Sequence, residues 1–432
     1  MVNKKEKSFI PSPLMLAIGL SFVVYFLALF FTSSQQGQRA YPIQLLLFYQ
    51  QGFWDLLAFA MQMMLILVLG NVLAITPLFQ RLMKAILSRI TSGASAVFLT
   101  AIFSLLLSYF NWGLGLIFSA LLARAIAENA RRSGMKINYP LLVAAAYSGL
   151  MVWHGGLSGS APLKVAGNHH FLVNEIGVIP VSETIFSTMN LALFVLSIII
   201  IPLSFLLMAK YKPKTTEKND LPKSPIISSA NEKRQFLGLA FGLVLAFAVV
   251  YQFYELGLAA LNINLINLIL LSLGLILYAN VQQFMKAVNS AIASSSGIMI
   301  QFPIYAGIMG LMKYSGLVAI FTESLIQIST PDTLAIYSFF SAAVVNFFVP
   351  SGGGQWAVQG PILMQAAEEL GVSIPKIIMS LAYGDQLTNM IQPFWAIPLL
   401  SITGVKANSI LPYTFIIMLV GGALSLAILY WF

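Results

Sequence analysis

Apolar runs long enough to cross a bilayer recur along nearly the whole chain, and nothing else in the sequence constrains its fold as strongly. Candidate spans are Pro13–Phe31, Phe53–Ile75, Ile185–Met208, Phe236–Tyr254, Ile263–Leu277, Ala287–Met312 and Ile410–Tyr430. Tyr139–Trp153 passes into an irregular extension, and Ile374–Ile402 carries a break. A spanning helix needs about 20 predominantly apolar residues. Only 9% of the residues are charged and 59% are hydrophobic, whereas a soluble domain carries roughly a quarter charged residues. A water-soluble core cannot hide that much apolar surface, so the solvent of this chain is lipid. The fold class is an all-α polytopic membrane protein, because helices satisfy their own backbone groups where water is absent. Pro13–Phe31 follows Lys4, Lys5 and Lys7 without a small-residue cleavage site, so it reads as a retained first span rather than a signal peptide.

Two further apolar regions, Ala94–Ala127 and Leu334–Ala367, are interrupted near their middles. The interruptions are "NWGLG" (Asn111–Gly115) and "FVPSGGGQWAVQGP" (Phe348–Pro361). Lys and Arg indicate how these regions run. Place the N-terminus in the cytoplasm and let each region return to the side it entered from. The cytoplasmic side then collects Lys4, Lys5, Lys7, Arg81, Lys84, Arg89, Arg124, Arg131, Arg132, Lys136, the basic stretch Lys210–Arg234, Lys286 and Lys406. Only Arg39, Lys164, Lys313 and Lys376 stay outside. That is the asymmetry of the positive-inside rule, and full crossings would reverse it. The expectation is two re-entrant hairpins, over about 94–130 and 334–368. Residues 210–235, rich in Lys, Pro and Ser, read as a cytoplasmic linker between an N-terminal half (1–209) and a C-terminal half (236–432).

The halves resemble each other. "AYSGLMVWHGGLSGSAPL" (Ala146–Leu163) and "AYGDQLTNMIQPFWAIPL" (Ala382–Leu399) share Ala-Tyr at the start and Pro-Leu at the end, with equal spacing. Gly113 and Gly115 fall against Gly352 and Gly354 at nearly the same offset. With the drawn topology the repeats are inverted, a secondary-transporter design that holds substrate near the midplane at discontinuous helices.

A helix broken inside lipid must have its freed backbone groups satisfied by protein, water or ligand. Glycines permit tight turns and close ligand approach, and a restarting half-helix offers N–H groups and a positive dipole end to an anion. The substrate-binding candidates are therefore Asn111, Gly113, Gly115, His154, Gly156, Ser158, Gly159 and Ser160 from the first half. Ser351, Gly352, Gly353, Gly354, Gln355 and Trp356 match them in the second. Backbone N–H groups near Gly115 and Gly354–Trp356 are expected to hold a carboxylate, with Trp153 and Trp356 shaping an apolar pocket. Asp385 is a carboxylate well inside a span. Intramembrane acids are costly and usually functional, so Asp385, Thr388, Asn389 and Gln392 are the cation-coupling candidates. Asp385 acts there either as a proton carrier or as a cation ligand. His169 and His170 read as solvated loop residues.

The exclusions are broad. The chain has no cysteine, which removes disulfides, thiolate catalysis and Cys-based zinc sites. Its net charge of +9 is not arranged as a nucleic-acid surface. No HExxH, phosphate loop or nucleophile–base pairing is visible, so neither an enzyme nor an ATP-driven pump is expected. No cofactor is expected beyond a coupling ion, H⁺ or Na⁺.

On "FVPSGGGQWAVQGP", "HGGLSGSAP" and "GFWDLLAFAMQMMLILVLG" (Gly52–Gly70), the chain resembles the short-chain fatty acid transporter family, of the AtoE type, over nearly its full length. The resemblance implies an inner-membrane carrier of small monocarboxylates such as butyrate or acetoacetate. More distantly the layout is similar to the ion-transporter superfamily, which implies paired hairpins, elevator-like motion and a homodimer. That superfamily's Ser-Asn-Thr tips are absent here, where the tips read Asn111-Trp112-Gly113 and Ser351-Gly352-Gly353. Dicarboxylate binding is thereby put in doubt and sodium coupling left open. A carrier of hydroxy acids or dicarboxylates, and a passive carboxylate channel, are the rival readings.

Overall fold

The computed structural model describes residues 13–33, 40–55, 57–211, 236–292, 296–346 and 351–432. Positions 212–235 of the expected linker, the N-terminal lysines and Phe348–Pro350 lie outside these residues. All regular structure among the described residues is helical. Large apolar side chains such as Phe30, Phe236 and Phe247 are exposed on the outer faces, as a lipid solvent allows. Among the described residues, six helices are long and apolar enough to cross a membrane. They are Leu57–Ala74, Gly93–Phe110, Trp112–Ser133, Thr188–Lys210, Phe236–Ala260 and Ala407–Trp431.

The structure adds helices where no span is legible. Tyr41–Gly52 is a short helix begun by a proline in its first turn. Pro77–Leu87 and Val281–Ile292 are amphipathic, and Arg81 and Lys84 point outward from the first of them. The expected span Ala287–Met312 is not a single helix. Its start belongs to Val281–Ile292, and a separate helix runs over Ser296–Ser315. That helix meets Leu317–Ile328 at Gly316, whose φ of 88° lies in the left-handed region. The pair bends by 83°.

Both interrupted regions form two helices rather than one. In the first, Gly93–Phe110 starts at a Ser92–Ser95 capping box and stops at Asn111. Asn111 is extended (φ −155°, ψ 119°), and its Oδ1 accepts from the N–H of Leu114 at 2.8 Å. That cap starts Trp112–Ser133, which ends at left-handed Gly134. In the second, Leu334–Val345 is followed by Ser351 in almost the same conformation (φ −159°, ψ 111°). Its Oγ accepts from the N–H of Gly354 at 3.3 Å and starts Gly352–Glu369. Asn and Ser suit this position because a short side-chain oxygen replaces a missing intrahelical acceptor.

Each such pair packs on a broken helix. After the first, Tyr139–Tyr147 tightens into a 3₁₀ turn, Ser148–Met151, unwinds, and resumes as Ser160–Val165. After the second, Ile374–Thr388 tightens into Asn389–Ile391, opens at Gln392 and resumes as Pro393–Thr403. The order helix, capped turn, helix, broken helix thus occurs in both halves. Tyr147 and Tyr383, the tyrosines of the matched Ala-Tyr pairs, brace the opposite breaks. Tyr147 donates to the carbonyls of Asn389 (2.8 Å) and Gln392 (3.2 Å). Tyr383 donates to Asn190 Oδ1 (3.1 Å), and Asn190 Nδ2 donates to the carbonyl of Gly155 (2.8 Å).

Candidate functional site

The first tip is fastened to the first break. The N–H of Trp112 donates to Ser158 Oγ at 2.9 Å, and the N–H of Leu157 donates to the carbonyl of Tyr109 at 2.7 Å. Gly156 packs so tightly on that carbonyl that a Cβ would collide with it. Gly159 stands in the same way against the carbonyl of His154. These glycines serve close backbone packing. Ser160 Oγ faces Met63 Sδ at 3.8 Å.

The second tip arrives at the same place. A Cβ on Gly352 would lie 2.7 Å from His154 Cε1 and 2.8 Å from the far edge of the Trp153 ring. Gly353 faces Phe59 and Phe302. Trp153 stacks on His154 with ring centroids 4.6 Å apart. It also meets Trp112 of the first tip edge-on at 5.9 Å. Trp153 and His154 therefore lie between the two turns.

His154 joins the halves chemically. Its Nδ1 is 2.6 Å from Asp385 Oδ2, and both side chains are essentially inaccessible to solvent. The N–H of His154 donates to Gln386 Oε1 at 3.2 Å. The N–H of Ala161 donates to His154 Nε2 at 3.2 Å. An Nε2 that accepts a hydrogen bond carries no proton, so the ring proton sits on Nδ1 and is donated to Asp385. The other carboxylate oxygen, Oδ1, has no partner among the described residues.

The predicted coupling group is held by a residue that the sequence reading missed. Asn346, at the end of Leu334–Val345, places its Nδ2 within 2.8 Å of the Asp385 carbonyl, 3.0 Å of Thr388 Oγ1 and 2.9 Å of Asn389 Oδ1. Thr388 Oγ1 donates to the carbonyl of Ala343 (3.0 Å), and Gln392 Nε2 donates to the carbonyl of Asn346. Thr388, Asn389 and Gln392 thus clamp the second break to the arm that leads into the second tip. Gln355 is committed as well, through Nε2 to the carbonyl of Ala342 (2.8 Å) and to Gln359 Oε1 (2.7 Å).

The caps narrow the set of free amides. Gly115 N–H donates to the carbonyl of Asn111 (2.9 Å) and Gln355 N–H to that of Ser351 (2.7 Å). Gly354 N–H is taken by the Ser351 side chain. Gly115 also packs directly on Ser108. The N–H groups of Gly113, Gly352 and Gly353, in the first turns where a helix offers no internal acceptor, find none among the described residues. The buried indole N–H groups of Trp112, Trp153 and Trp356 are likewise unpartnered there. Trp356 is fully buried, with Phe171 beside it at 6.2 Å between ring centroids. Phe171 also lines a cavity of about 550 Å³ with Asp55, Glu175, Lys313, Met364 and Glu368.

Two basic or titratable neighbours complete the surroundings. Lys164 Nζ lies 5.2 Å from the centre of the Phe59 ring, whose edge faces Gly353. His170 is buried rather than solvated, because its Nε2 closes onto the carbonyl of Gly177 at 2.8 Å. Burial lowers its pKa, the Gly177 hydrogen bond raises it and the nearby Lys164 charge lowers it, for a net lowering. His169 is exposed, as expected.

Comparison with known proteins bears on what such a site serves. The family model described as "Short chain fatty acid transporter" matches residues 1–432. A relative from Escherichia coli (strain K12), provisionally named a short-chain fatty acid transporter, is 37% identical over 96% of this chain and 94% of its own length. A Haemophilus influenzae relative with the same provisional name is 36% identical over 94% and 92%. In fold, the chain resembles the crystal structure of the Alcanivorax borkumensis YdaH transporter, with a TM-score of 0.60 at 14% identity over 98% of both chains. It also resembles Neisseria gonorrhoeae MtrF, described as illuminating a class of antimetabolite efflux pumps. There the TM-score is 0.56 at 14% identity, over 97% of this chain and 95% of that one.

Proposed function

The chain belongs to the short-chain fatty acid transporter family, and from that premise we propose that it is a secondary active carrier of small monocarboxylates such as butyrate or acetoacetate. One observation carries the reading. Two capped helix starts from different halves converge on one buried Trp153–His154 pair, with N–H groups of Gly113, Gly352 and Gly353 unclaimed among the described residues. Such groups in a dry site suit one small carboxylate. The apolar wall of Phe59, Phe302 and Trp153 suits a short acyl tail.

The tips are proposed to be re-entrant and the halves to be inverted repeats. The near-equal caps at Asn111 and Ser351, and the burial of both capping residues, support this. Coupling to H⁺ or Na⁺ is assigned to Asp385, with Asn346, Thr388, Asn389 and Gln392 holding its backbone. The cavity beside Phe171 and Trp356 is the proposed outer vestibule. The protein is assigned to the bacterial inner membrane with a cytoplasmic N-terminus on the Lys and Arg asymmetry. An elevator-like stroke and a homodimer rest on the distant resemblance alone.

The test is uptake of labelled butyrate into proteoliposomes, with protein-free vesicles subtracted. Saturable accumulation under an ion gradient is expected, competed by short monocarboxylates and not by succinate or gluconate. Equal competition by succinate would move the protein to dicarboxylates. Flux that never exceeds electrochemical equilibrium would make it a channel.

A further inference from the structure

We propose that the coupling ion is a proton, and that it is carried by the His154–Asp385 pair with His154 Nε2 as the landing site. The inference rests on the carrier reading above and adds the identity of the ion and the atom that takes it.

The charge arithmetic starts from the hydrogen bonds. With Nε2 accepting from Ala161 and Nδ1–H donating to Asp385, the imidazole is neutral, and the resting state proposed here has Asp385 ionised, the form to which a donated N–H bonds most strongly. The pair therefore carries one negative charge in a site sealed from water. A buried charge without a counter-charge is costly, and the surroundings offer no compensation by contact. Asp385 is the only charged side chain touching the ring among the described residues. Lys164, the nearest base on the same segment, turns its Nζ over the Phe59 ring. On the packed elements, Tyr109 donates to the carbonyl of Ile185 at 3.2 Å, and the Tyr147 and Tyr383 hydroxyls are committed to the opposite breaks. The pair is thus built to take up one positive charge.

The imidazole in the pair favours a proton over sodium, because it offers a nitrogen lone pair where a hard cation prefers oxygen. A sodium ion needs several oxygen ligands converging on one point, the preference of a hard cation. Here Asp385 Oδ2 is already turned to a ring nitrogen, and the oxygens without a partner among the described residues are Asp385 Oδ1, Asn346 Oδ1 and Gln392 Oε1, so that a Na⁺ gradient tests whether they bind that ion. A proton arriving from the outer water needs only a lone pair. It bonds to Nε2, the Ala161 N–H···Nε2 hydrogen bond opens, and Nδ1–H···Oδ2 is kept. The pair becomes imidazolium and carboxylate, with no net charge. The imidazolium supplies the positive group that the two tips lack, directly beside Gly352. A carboxylate then binds against it, and H⁺ and anion cross together. The carrier bears the same charge loaded and empty, so the cycle moves no net charge.

The deciding experiment uses proteoliposomes of the full chain and labelled acetoacetate, a stronger acid than butyrate and so less prone to leak as the neutral form. Counterflow exchange without any ion gradient first shows whether there is a carrier; its absence defeats the carrier reading itself. Given exchange, an inside-alkaline pH gradient should drive accumulation in Na⁺-free buffer. An imposed membrane potential alone should drive no accumulation, and a Na⁺ gradient at equal pH should drive nothing. Accumulation driven by Na⁺, or exchange that ignores the pH gradient, would overturn the proton assignment while leaving the carrier reading in place. His154→Gln should abolish the pH-driven component, and His170→Gln, in a loop away from the pair, should keep it. A His154→Gln protein that still accumulates substrate on the pH gradient also overturns the assignment, and the wild-type measurements decide the question if that variant does not fold.

Discussion

The two capped turns share a backbone but not a chemistry. Asn111 and Ser351 differ by only a few degrees in φ, and each hands one side-chain oxygen to the N–H three residues on. The breaks behind them diverge. The first unwinds over Val152–Gly159 and is held by glycines pressed against carbonyls, with His154 as its titratable group. The second opens only around Asn389–Gln392 and is held by amide side chains, with Asp385 just before it. The two arms share a frame, and each contributes one half of the His154–Asp385 pair. The pair exists only where the halves meet.

The sharpest way to break that comparison is to remove the acid. Asp385→Asn should reduce gradient-driven uptake to the level of protein-free vesicles, whereas undiminished coupled uptake would separate the pair from transport. Next come two glycines pressed onto a carbonyl, Gly156 in the first break against Tyr109 and Gly384 in the helix before the second break against Phe339. Valine at either position should cost about 1–3 kcal/mol through overpacking, read as a lower Tm in detergent, with transport lost. A large effect at one and none at the other would show that the two arms are not equivalent supports. The caps follow. Asn111→Ala and Ser351→Ala should each cost about 0.5–2 kcal/mol, and unequal losses would reveal which turn the rest of the fold holds in place. The smallest effect concerns His170. Its pKa is lowered in the folded protein, so the unfolded chain takes the proton first, near an ordinary value of about 6.5. Stability should therefore fall as pH drops through that window, and His170→Gln should flatten the fall in Tm.

The turns and the breaks were legible because lipid makes any helix interruption expensive, so Asn111, the glycines after Ser351 and the polar stretch at Asp385 stood out against apolar neighbours. The contact between His154 and Asp385 was not legible. It joins residues 231 positions apart, and local pattern does not tell which faces meet. The reading accordingly placed His154 with the substrate and Asp385 with the cation, where the fold makes them one unit. Asn346 was missed for a related reason. It is a polar residue in "SAAVVNFFVP", and its only signal was an amide beside a predicted break. The amides of Gly115, Gly354 and Gln355 were over-assigned because the caps that consume them depend on turn geometry. Tyr41–Gly52 escaped because it is shorter than a span, and Val281–Ile292 because amphipathic helices lack a continuous apolar run.

The central claim is that His154 and Asp385 form one buried pair across the halves, and a double-mutant cycle on thermal stability tests it most directly. His154→Gln alone should take the Nδ1–H donor away from a buried carboxylate and cost about 1–3 kcal/mol. Adding Asp385→Asn should recover most of that loss, because the Gln–Asn pair carries no charge. A double variant destabilised by the sum of the two single changes would mean that the residues act independently, and would contradict the account.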